Sequence, residues 1–298
     1  MRYALALCAL TLACSTSPVI SSNPRDTGQN STADVGATPI DAGVLPGASA
    51  ELEALLRPHF AHIYRIGGLY IAGTDEAPLE TNQDEATGGE VVTQAVKLFS
   101  SLLDANEDGV IDDQEHLDSL GQNFIFAIGY QRTLEPLEES LDRQTGRYVM
   151  SMKTDIWPYM PDWTGRGFSL AALTTSMWRP EGMNALWEEV FHTYTEAMAR
   201  RFGDWTFSPS SPLGQAMQED ITNGAYDIEE QNRLENGDYD FATAVNEYLH
   251  QIWVVQYAGL ESLLTDAQKR VLEQMTNQPG FPMTMNANYP GSLAARIN

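Results

Sequence analysis

The segment from Asp104 to Glu115 constrains the fold of this chain more than any other stretch of the sequence. Its oxygen-bearing side chains fall at segment positions 1, 3, 5, 9 and 12, which are Asp104, Asn106, Asp108, Asp112 and Glu115. Gly109 occupies position 6, where the absence of a side chain lets the backbone adopt a positive φ angle. The pattern therefore predicts a tightly wound loop in which alternate side chains point toward a common centre.

The same segment resembles the calcium-binding loop of the EF-hand family. The resemblance rests on the five oxygen-bearing positions, on Gly109 and on the aliphatic Ile111 at position 8. It implies a Ca²⁺ ion held by five side chains and one backbone carbonyl: Asp104, Asn106, Asp108, the Val110 carbonyl, Asp112 and Glu115. An acidic surface turn is the alternative interpretation, because Asp and Glu outnumber Lys and Arg by 41 to 17.

Apolar residues recur at helical spacing on both sides of this loop, so residues 91–128 are expected to form a helix–loop–helix unit. EF-hand loops usually occur in pairs, and residues 236–247 partly match a partner loop. Oxygen-bearing side chains stand at four of its positions: Asn236, Asp238, Asp240 and Glu247. Phe241, however, stands where the sharp turn needs glycine. The alternative is a polar N-cap segment that leads into the next helix.

The N-terminus has the features of a bacterial secretory signal. Arg2 is followed by an apolar run from Tyr3 to Ala13 and then by Cys14. Residues 10–14 resemble a lipobox, which implies a lipid-anchored envelope protein whose Cys14 is acylated. Ser15 after that cysteine is similar to the outer-membrane sorting pattern. Signal cleavage without lipidation, giving a secreted protein, is the alternative.

Composition limits the possible partners and the chemistry. The formal net charge of −24 disfavours nucleic acid as a partner, because binding its phosphates needs a basic surface. The only two cysteines, Cys8 and Cys14, both lie in the predicted signal, so a disulfide or a thiolate metal site is not expected in the folded part. No later segment is apolar over a length that crosses a bilayer.

These patterns divide the chain into three parts. Residues 1–14 are the predicted signal and lipobox, and residues 15–47 form a flexible tether rich in Ser, Thr, Gly and Pro. Residues 48–298 are predicted to form a single, mainly α-helical domain with few or no strands. Its longest helices are expected over residues 180–201 and 240–260.

Two Glu-x-x-His pairs suggest a second metal site. Glu189 precedes His192 by three residues, and Glu247 precedes His250 by three, which places each pair on one helix face. Glu196 extends the first pair by one further turn. Such pairs on facing helices can bind a single zinc, iron or manganese ion, or form a di-metal carboxylate centre.

Structural roles are the alternative for these residues. His192 falls opposite the apolar stripe of its helix, which indicates a solvent-exposed face, whereas His250 falls among apolar residues. The metal site is favoured if the two imidazoles lie within about 7 Å of each other with carboxylates between them. Glu188 is then the candidate general base.

Two hypotheses on function follow. The first is a calcium-binding protein of the bacterial envelope, in which the ion clamps the helices around residues 104–115. The second is a metal-dependent hydrolase or oxidase that uses the Glu189/His192 and Glu247/His250 pairs. The sequence contains no His-Glu-x-x-His, Gly-x-Ser-x-Gly or phosphate-loop motif that decides between them.

Overall fold

The structure is a computed structural model, and it describes residues 46–75, 88–154, 185–226 and 228–297. The described residues all belong to one compact unit, Ala37–Asn298. The predicted signal lies outside the described residues, as does the predicted tether apart from its last two residues. The first part of the helix predicted over residues 180–201 also lies outside them.

A five-stranded mixed sheet lies at the centre of the described part of the chain. Its strands are β1 (His62–Ile66), β2 (Leu69–Gly73), β3 (Phe124–Gly129), β4 (Tyr148–Lys153) and β5 (Ala295–Arg296). They lie in the order β4-β3-β2-β1-β5. Strands β2, β3 and β4 are parallel, whereas β1 runs antiparallel to both of its neighbours.

The helices pack on both faces of this sheet. They are α1 (Pro46–Leu56), α2 (Gly88–Leu103), α3 (Gln114–Asn123), α4 (Gln131–Thr145), α5 (Ala185–Arg201), α6 (Pro212–Thr222), α7 (Ile228–Asn236), α8 (Phe241–Tyr257) and α9 (Asp266–Asn277). Two short 3₁₀ turns, Gly203–Trp205 and Glu261–Leu263, follow α5 and α8. Within the described ranges, no helix has both the length and the apolar character needed to span a bilayer.

The prediction of a mainly helical domain with few or no strands is wrong, because the described residues form an α/β fold. The error centres on the segment from Phe124 to Gly129. The spacing of Phe124 and Ile128 predicts a continuation of the preceding helix, but every residue of this segment is buried in β3. A strand buried on both faces is a continuous apolar run, and its pattern alone does not distinguish it from a buried helix.

The two faces of the sheet have separate apolar cores. Ile71, Phe126 and Ile128 point into the larger core, which they share with α2, α3, α5, α6, α8 and α9. Ile125 and Ala127 point to the opposite face and pack against α1 and α4 in the smaller core. Alternate residues of one strand therefore supply both cores.

Helices α5 and α8 pack against each other in the larger core. Every residue of α8 from Ala244 to Val255 is buried except Glu247. Helix α5 is also buried on most sides, including at His192. A helix that is covered on all sides removes its polar side chains from water along with its apolar ones. Polar groups in the space between α5 and α8 are therefore strongly desolvated.

The C-terminal segment ties the larger core to the sheet. Trp253 Nε1 of α8 donates a hydrogen bond to the Pro282 carbonyl at 2.7 Å. Farther along, the backbone amide of Asn286 donates to Ser101 Oγ of α2 at 3.0 Å. The segment then ends in β5, which pairs with β1 at the edge of the sheet.

Candidate metal centre

Four side chains from α5 and α8 converge in the larger core. Glu188 and His192 lie four residues apart on α5, and Glu247 and His250 lie three residues apart on α8, so each pair lies on one face of its helix. One nitrogen or oxygen atom from each residue lies within 4.8 Å of the corresponding atoms of the others. These four residues are called the Glu/His cluster below.

Each imidazole of the cluster faces a carboxyl group of the opposite helix. His192 Nε2 lies 3.7 Å from Glu247 Oε2, and His250 Nδ1 lies 3.6 Å from Glu188 Oε1. Both distances exceed a normal hydrogen bond, and neither nitrogen has a hydrogen-bond partner among the described residues. The two ring centroids lie 5.3 Å apart, which is inside the limit of about 7 Å for sharing one ion.

The cluster has the donor atoms that divalent transition metals prefer. Zinc binds imidazole nitrogen and carboxylate oxygen at about 2.0–2.2 Å, so ligands on opposite sides of one ion are about 4 Å apart. Atoms that already lie within 4.8 Å of one another can surround one ion after small side-chain shifts. Calcium and magnesium prefer oxygen ligands throughout, so the two imidazoles favour zinc, iron or manganese here.

Burial sets the protonation state of the two imidazoles. His192 and His250 are only 5% and 2% exposed. Burial lowers the pKa of His192 to about 3, and burial together with His192 lowers the pKa of His250 well below its usual value. Both rings are therefore neutral near pH 7, which is the form that binds a metal ion.

Burial has the corresponding effect on the two carboxyl groups. It raises the pKa of Glu188 to about 7 and the pKa of Glu247 well above its usual value. The two side chains share a hydrogen bond, which favours the ionised form of Glu188 and the protonated form of Glu247. The charge of Glu230 on α7 raises both pKa values further. A cation among these groups favours their ionised forms.

Helix α7 carries a positive group whose charge acts on the cluster. Arg233 Nη1 lies 3.6 Å from Glu230 Oε1 and donates a hydrogen bond to the Tyr239 hydroxyl. The Arg233 charge also opposes the effect of burial on the pKa of Glu188. When ionised, Glu188, Glu230 and Glu247 carry three negative charges, and Arg233 carries one positive charge. A divalent ion would offset two of these negative charges.

Polar and aromatic contacts hold the two helices in register around the cluster. Thr195 Oγ1 of α5 donates to Asn246 Oδ1 of α8 at 2.8 Å, and Asn246 Nδ2 donates to the His192 carbonyl at 3.5 Å. The Phe191 ring lies 5.4 Å from the His250 ring, measured between centroids. The cluster is thus built on two packed helices and not on mobile loops.

Two carboxylates of the predicted second site do not belong to the cluster. Glu196 pairs with Arg200, one turn further along α5, at 3.8 Å. Burial and the neighbouring Glu188 raise the pKa of Glu189, whereas the charge of Lys153 on β4 opposes this effect. Glu188, and not Glu189, is therefore the α5 carboxyl group that joins the histidines.

The other histidines of the chain lie apart from the cluster. His62 Nε2 lies 3.0 Å from Asp75 Oδ1, and His59 is exposed. His116 of α3 is buried against the Tyr194 ring, with centroids 4.0 Å apart. The prediction that His192 faces solvent is wrong, because α8 covers that face of α5.

The helical spacing of the cluster residues could be recognised in the sequence, whereas the neighbouring residues of α7 follow no recognisable pattern. The spacing between Glu188 and His192 is four residues, which places them on one helix face as effectively as a spacing of three. The pattern therefore permits Glu188 as a ligand as readily as Glu189. Arg233, whose charge acts on Glu188, belongs to no local motif, and α7, which carries it, packs against α8.

The EF-hand-like segment forms a loop between α2 and α3. Asp104 Oδ1 accepts a hydrogen bond from the Asp108 amide at 3.1 Å, and Asp104 Oδ2 accepts one from the Gly109 amide at 2.7 Å. Gly109 has a φ angle of 84°, as the sharp turn requires. The loop backbone is thus wound around the carboxyl group of Asp104.

Two of the predicted calcium ligands also contact side chains outside the loop. Glu115 Oε2 lies 3.0 Å from Arg201 Nη2 at the end of α5. The Tyr289 hydroxyl donates a hydrogen bond to Asp104. Residues 236–247 form the junction of α7 and α8, in which Asp240 is an N-cap that accepts from the Thr243 amide. The N-cap interpretation therefore describes that second segment.

Comparisons with protein-family models, with curated proteins and with solved structures found no match to this chain. The functional argument therefore rests on the geometry of the described residues.

Glu188→Gln is expected to stabilise the protein in the presence of a metal chelator. Burial raises the folded-state pKa of Glu188 from 4.5 to about 7, so the folded protein binds more protons than the unfolded chain between these values. Its stability then falls as pH rises through this window. Glutamine removes this loss, and the gain in unfolding free energy should reach on the order of 2 kcal/mol at pH 8.

Urea unfolding between pH 4 and pH 8 with a chelator measures this gain. The exposed Glu273 of α9 provides a matched control, because Glu273→Gln changes the same chemical group away from the cluster. If the gain in unfolding free energy for Glu188→Gln does not grow with pH, the carboxyl group of Glu188 does not have a pKa raised by burial.

Proposed function

We propose that this protein is a metal-dependent hydrolase that binds one divalent transition-metal ion in the Glu/His cluster. The observation that carries the proposal is the convergence of four ligand atoms within 4.8 Å from two buried helices. The two imidazole nitrogens that face carboxyl groups have no hydrogen-bond partner among the described residues. Buried polar atoms without partners destabilise a fold, and a bound ion supplies the missing partner.

A catalytic role for the ion is favoured over a structural one. The fold contains two apolar cores, whereas domains that need a structural zinc are usually too small to form an adequate core. Two histidines and one carboxylate are sufficient to hold a catalytic ion. We assign His192, His250 and Glu247 to the ion, which leaves Glu188 beside it to accept and return a proton.

The ion supplies Lewis acidity, which polarises a carbonyl group and makes a nearby water more acidic. The residues of the chain position the proton acceptor and exclude water. The pairing of α5 with α8 holds Glu188 at the edge of the ligand set, and the buried aromatic residues limit the access of bulk water. Hydrolysis of an amide or an ester needs these elements and no oxidant.

One ion is favoured over two. A di-metal carboxylate centre takes a Glu from each of two helices in addition to two Glu-x-x-His motifs. Within the described ranges, only Glu188 and Glu247 supply carboxyl groups to the cluster. Zinc is adequate for hydrolysis, whereas an oxidase requires iron or manganese, so the identity of the bound metal separates these two activities.

Metal binding is expected at one ion per chain. After chelator treatment and equilibration with zinc, manganese and iron, elemental analysis should find one equivalent of the preferred metal. His192→Ala and His250→Ala should each weaken binding at least tenfold, because each removes a ligand from a four-residue cluster. His59→Ala is the matched control, since His59 is exposed and lies outside the cluster.

Two results would reject the metal site. One is protein that retains no metal under any of these conditions, and the other is equal affinity in the two cluster variants and the His59 control. Hydrolase activity is measured separately on peptide and ester substrates, and it should disappear in chelator and in Glu188→Gln. Metal binding without any such activity would support the metal site but contradict the proposed hydrolase activity.

We also propose calcium binding by the loop between α2 and α3, as a structural clip in an envelope lipoprotein anchored through Cys14. The support for the calcium site is the loop winding around Asp104, with Gly109 at a positive φ angle. Its position 12 ligand, Glu115, has an exposed side chain that pairs with Arg201. Glu115 must therefore exchange Arg201 for the ion. Mass spectrometry of the mature N-terminus tests the lipid anchor.

Calcium is expected to raise the melting temperature of the protein, and EGTA to lower it, because an ion that binds only the folded state stabilises it. Glu115→Gln should weaken calcium binding at least tenfold in titration calorimetry, since it removes a charged bidentate ligand. Glu107→Gln is the control, because Glu107 lies in the loop but at a position that supplies no ligand. Equal affinity in the two variants would argue against the site.

A further inference from the structure

We infer that Tyr289 is a positioning residue for the proposed calcium site, and that calcium binding and the docking of residues 286–293 stabilise each other. These residues precede β5 and are called the docking segment below. The inference rests on the calcium site proposed for the loop between α2 and α3. It adds a residue from outside the loop that supports the site, and a part of the fold that the ion controls.

Tyr289 contacts the first predicted calcium ligand directly. Its hydroxyl donates a hydrogen bond to Asp104 Oδ2, although the two residues are 185 positions apart in the sequence. Both residues are buried, since Asp104 is 0% and Tyr289 4% exposed. A buried carboxylate needs hydrogen-bond donors in place of water. The phenol therefore covers this carboxyl group and supplies one of its donors.

The hydrogen bonds to Asp104 leave one of its oxygens able to bind an ion. Oδ2 accepts from the Gly109 amide at 2.7 Å and also from the Tyr289 hydroxyl. Oδ1 accepts from the Asp108 amide at 3.1 Å. A carboxylate oxygen has two lone pairs, so Oδ1 retains one for a cation. Tyr289 thus holds the oxygen that does not bind the ion and thereby orients the oxygen that does.

A second contact joins the docking segment to the calcium loop. Asn286 Nδ2 donates a hydrogen bond to Glu107 Oε1. Among the residues that the structure describes, Glu107 is the one non-glycine residue with a positive φ angle, at 59°. A side chain opposes this conformation, which persists only where neighbouring contacts hold it. Asn286 therefore supports the turn that winds the loop around its predicted ion.

Two serines of α2 hold the ends of the docking segment. The Asn286 amide donates to Ser101 Oγ at 3.0 Å, and the Leu293 amide donates to Ser100 Oγ at 3.3 Å. Both serines are buried and lie in the last turn of α2, directly before the loop. The docked segment therefore fixes the helix end from which the calcium loop begins.

These shared contacts make calcium binding and segment docking reciprocal. The ion and the docking segment act on the same carboxyl group, that of Asp104. A residue that orients a metal ligand typically changes the metal affinity by about 10- to 100-fold. Whatever factor the docked segment adds to calcium affinity, bound calcium adds to the docking equilibrium. Calcium-free protein is therefore expected to release the segment more often.

Calorimetric titration of the chelator-treated full chain with calcium tests the role of Tyr289. Tyr289→Phe retains the ring and removes only the hydroxyl, so calcium affinity should fall about tenfold. The rise in melting temperature that calcium produces should become smaller in the same variant. A hydrogen bond with a structural role alone would instead lower the melting temperature equally with and without calcium.

Tyr226→Phe provides the matched control. Tyr226 is also 4% exposed, and its hydroxyl donates to the Ala244 carbonyl of α8 at 3.2 Å, outside the calcium loop. This variant removes the same chemical group from an equally buried site. It should bind calcium as tightly as the unchanged protein does.

Hydrogen exchange measured by mass spectrometry tests the docking of the segment. The amides of Asn286 and Leu293 exchange when their hydrogen bonds to α2 open. Calcium should slow their exchange at least about tenfold relative to EGTA, because the coupling is reciprocal. Peptides from β3 in the core report exchange through global unfolding and should slow by a smaller factor. In Tyr289→Phe the effect of calcium on the segment should shrink.

The outcomes separate this inference from the proposed calcium site. Absence of calcium binding in the unchanged protein overturns both. Calcium binding with equal affinity in Tyr289→Phe and Tyr226→Phe overturns the positioning role of Tyr289 alone. Exchange in the docking segment that is equal with calcium and with EGTA overturns the coupling between the ion and docking.

Discussion

Two imidazoles and two carboxyl groups share one desolvated space between α5 and α8. The protonation states in the larger core, and the free energy of burying these groups, depend on this arrangement. Desolvation keeps the imidazoles neutral and resists ionisation of the carboxyl groups. Burying such groups without a counter-charge costs free energy, which the surrounding apolar contacts must offset. A divalent ion reverses the balance, because it binds neutral imidazoles and stabilises ionised carboxylates together.

The sheet makes this arrangement possible without taking part in it. Strands β2, β3 and β4 divide the apolar residues between two cores, and the larger core is broad enough to bury α8 on nearly every side. Asn246 then holds the helices in register through Thr195 and the His192 carbonyl. Sites on rigid elements maintain their geometry better than sites on loops, and here neither helix can rotate without breaking that contact.

Sequence patterns predicted the elements that depend on local interactions. The helix predicted over residues 240–260 starts at the side-chain N-cap Asp240, which is a local signal. The strand from Phe124 to Gly129 had no comparable signal, because apolar residues on both faces remove the alternation that marks a strand. The prediction of a mainly helical domain was wrong because this strand could not be distinguished from a helix by its pattern.

The candidate site was partly predictable for the same physical reason. Spacing along a helix identified the faces that carry His192 and His250, but not which of two adjacent glutamates would point toward them. One residue turns a helix by about 100°, so the choice of Glu188 over Glu189 depends on how α5 rotates against its neighbours. That rotation results from tertiary packing, which a single sequence does not display.

The edge pairing of β5 with β1 has a consequence for the folding kinetics. The last strand of the described chain hydrogen-bonds to the first, so the sheet is completed by contacts of very large sequence separation. Closing such a long loop costs entropy before any contact compensates for it, and topologies of this kind fold slowly. Until that strand docks, β1 is an open edge on which a second nascent chain can pair, so slow closure exposes the chain to intermolecular association.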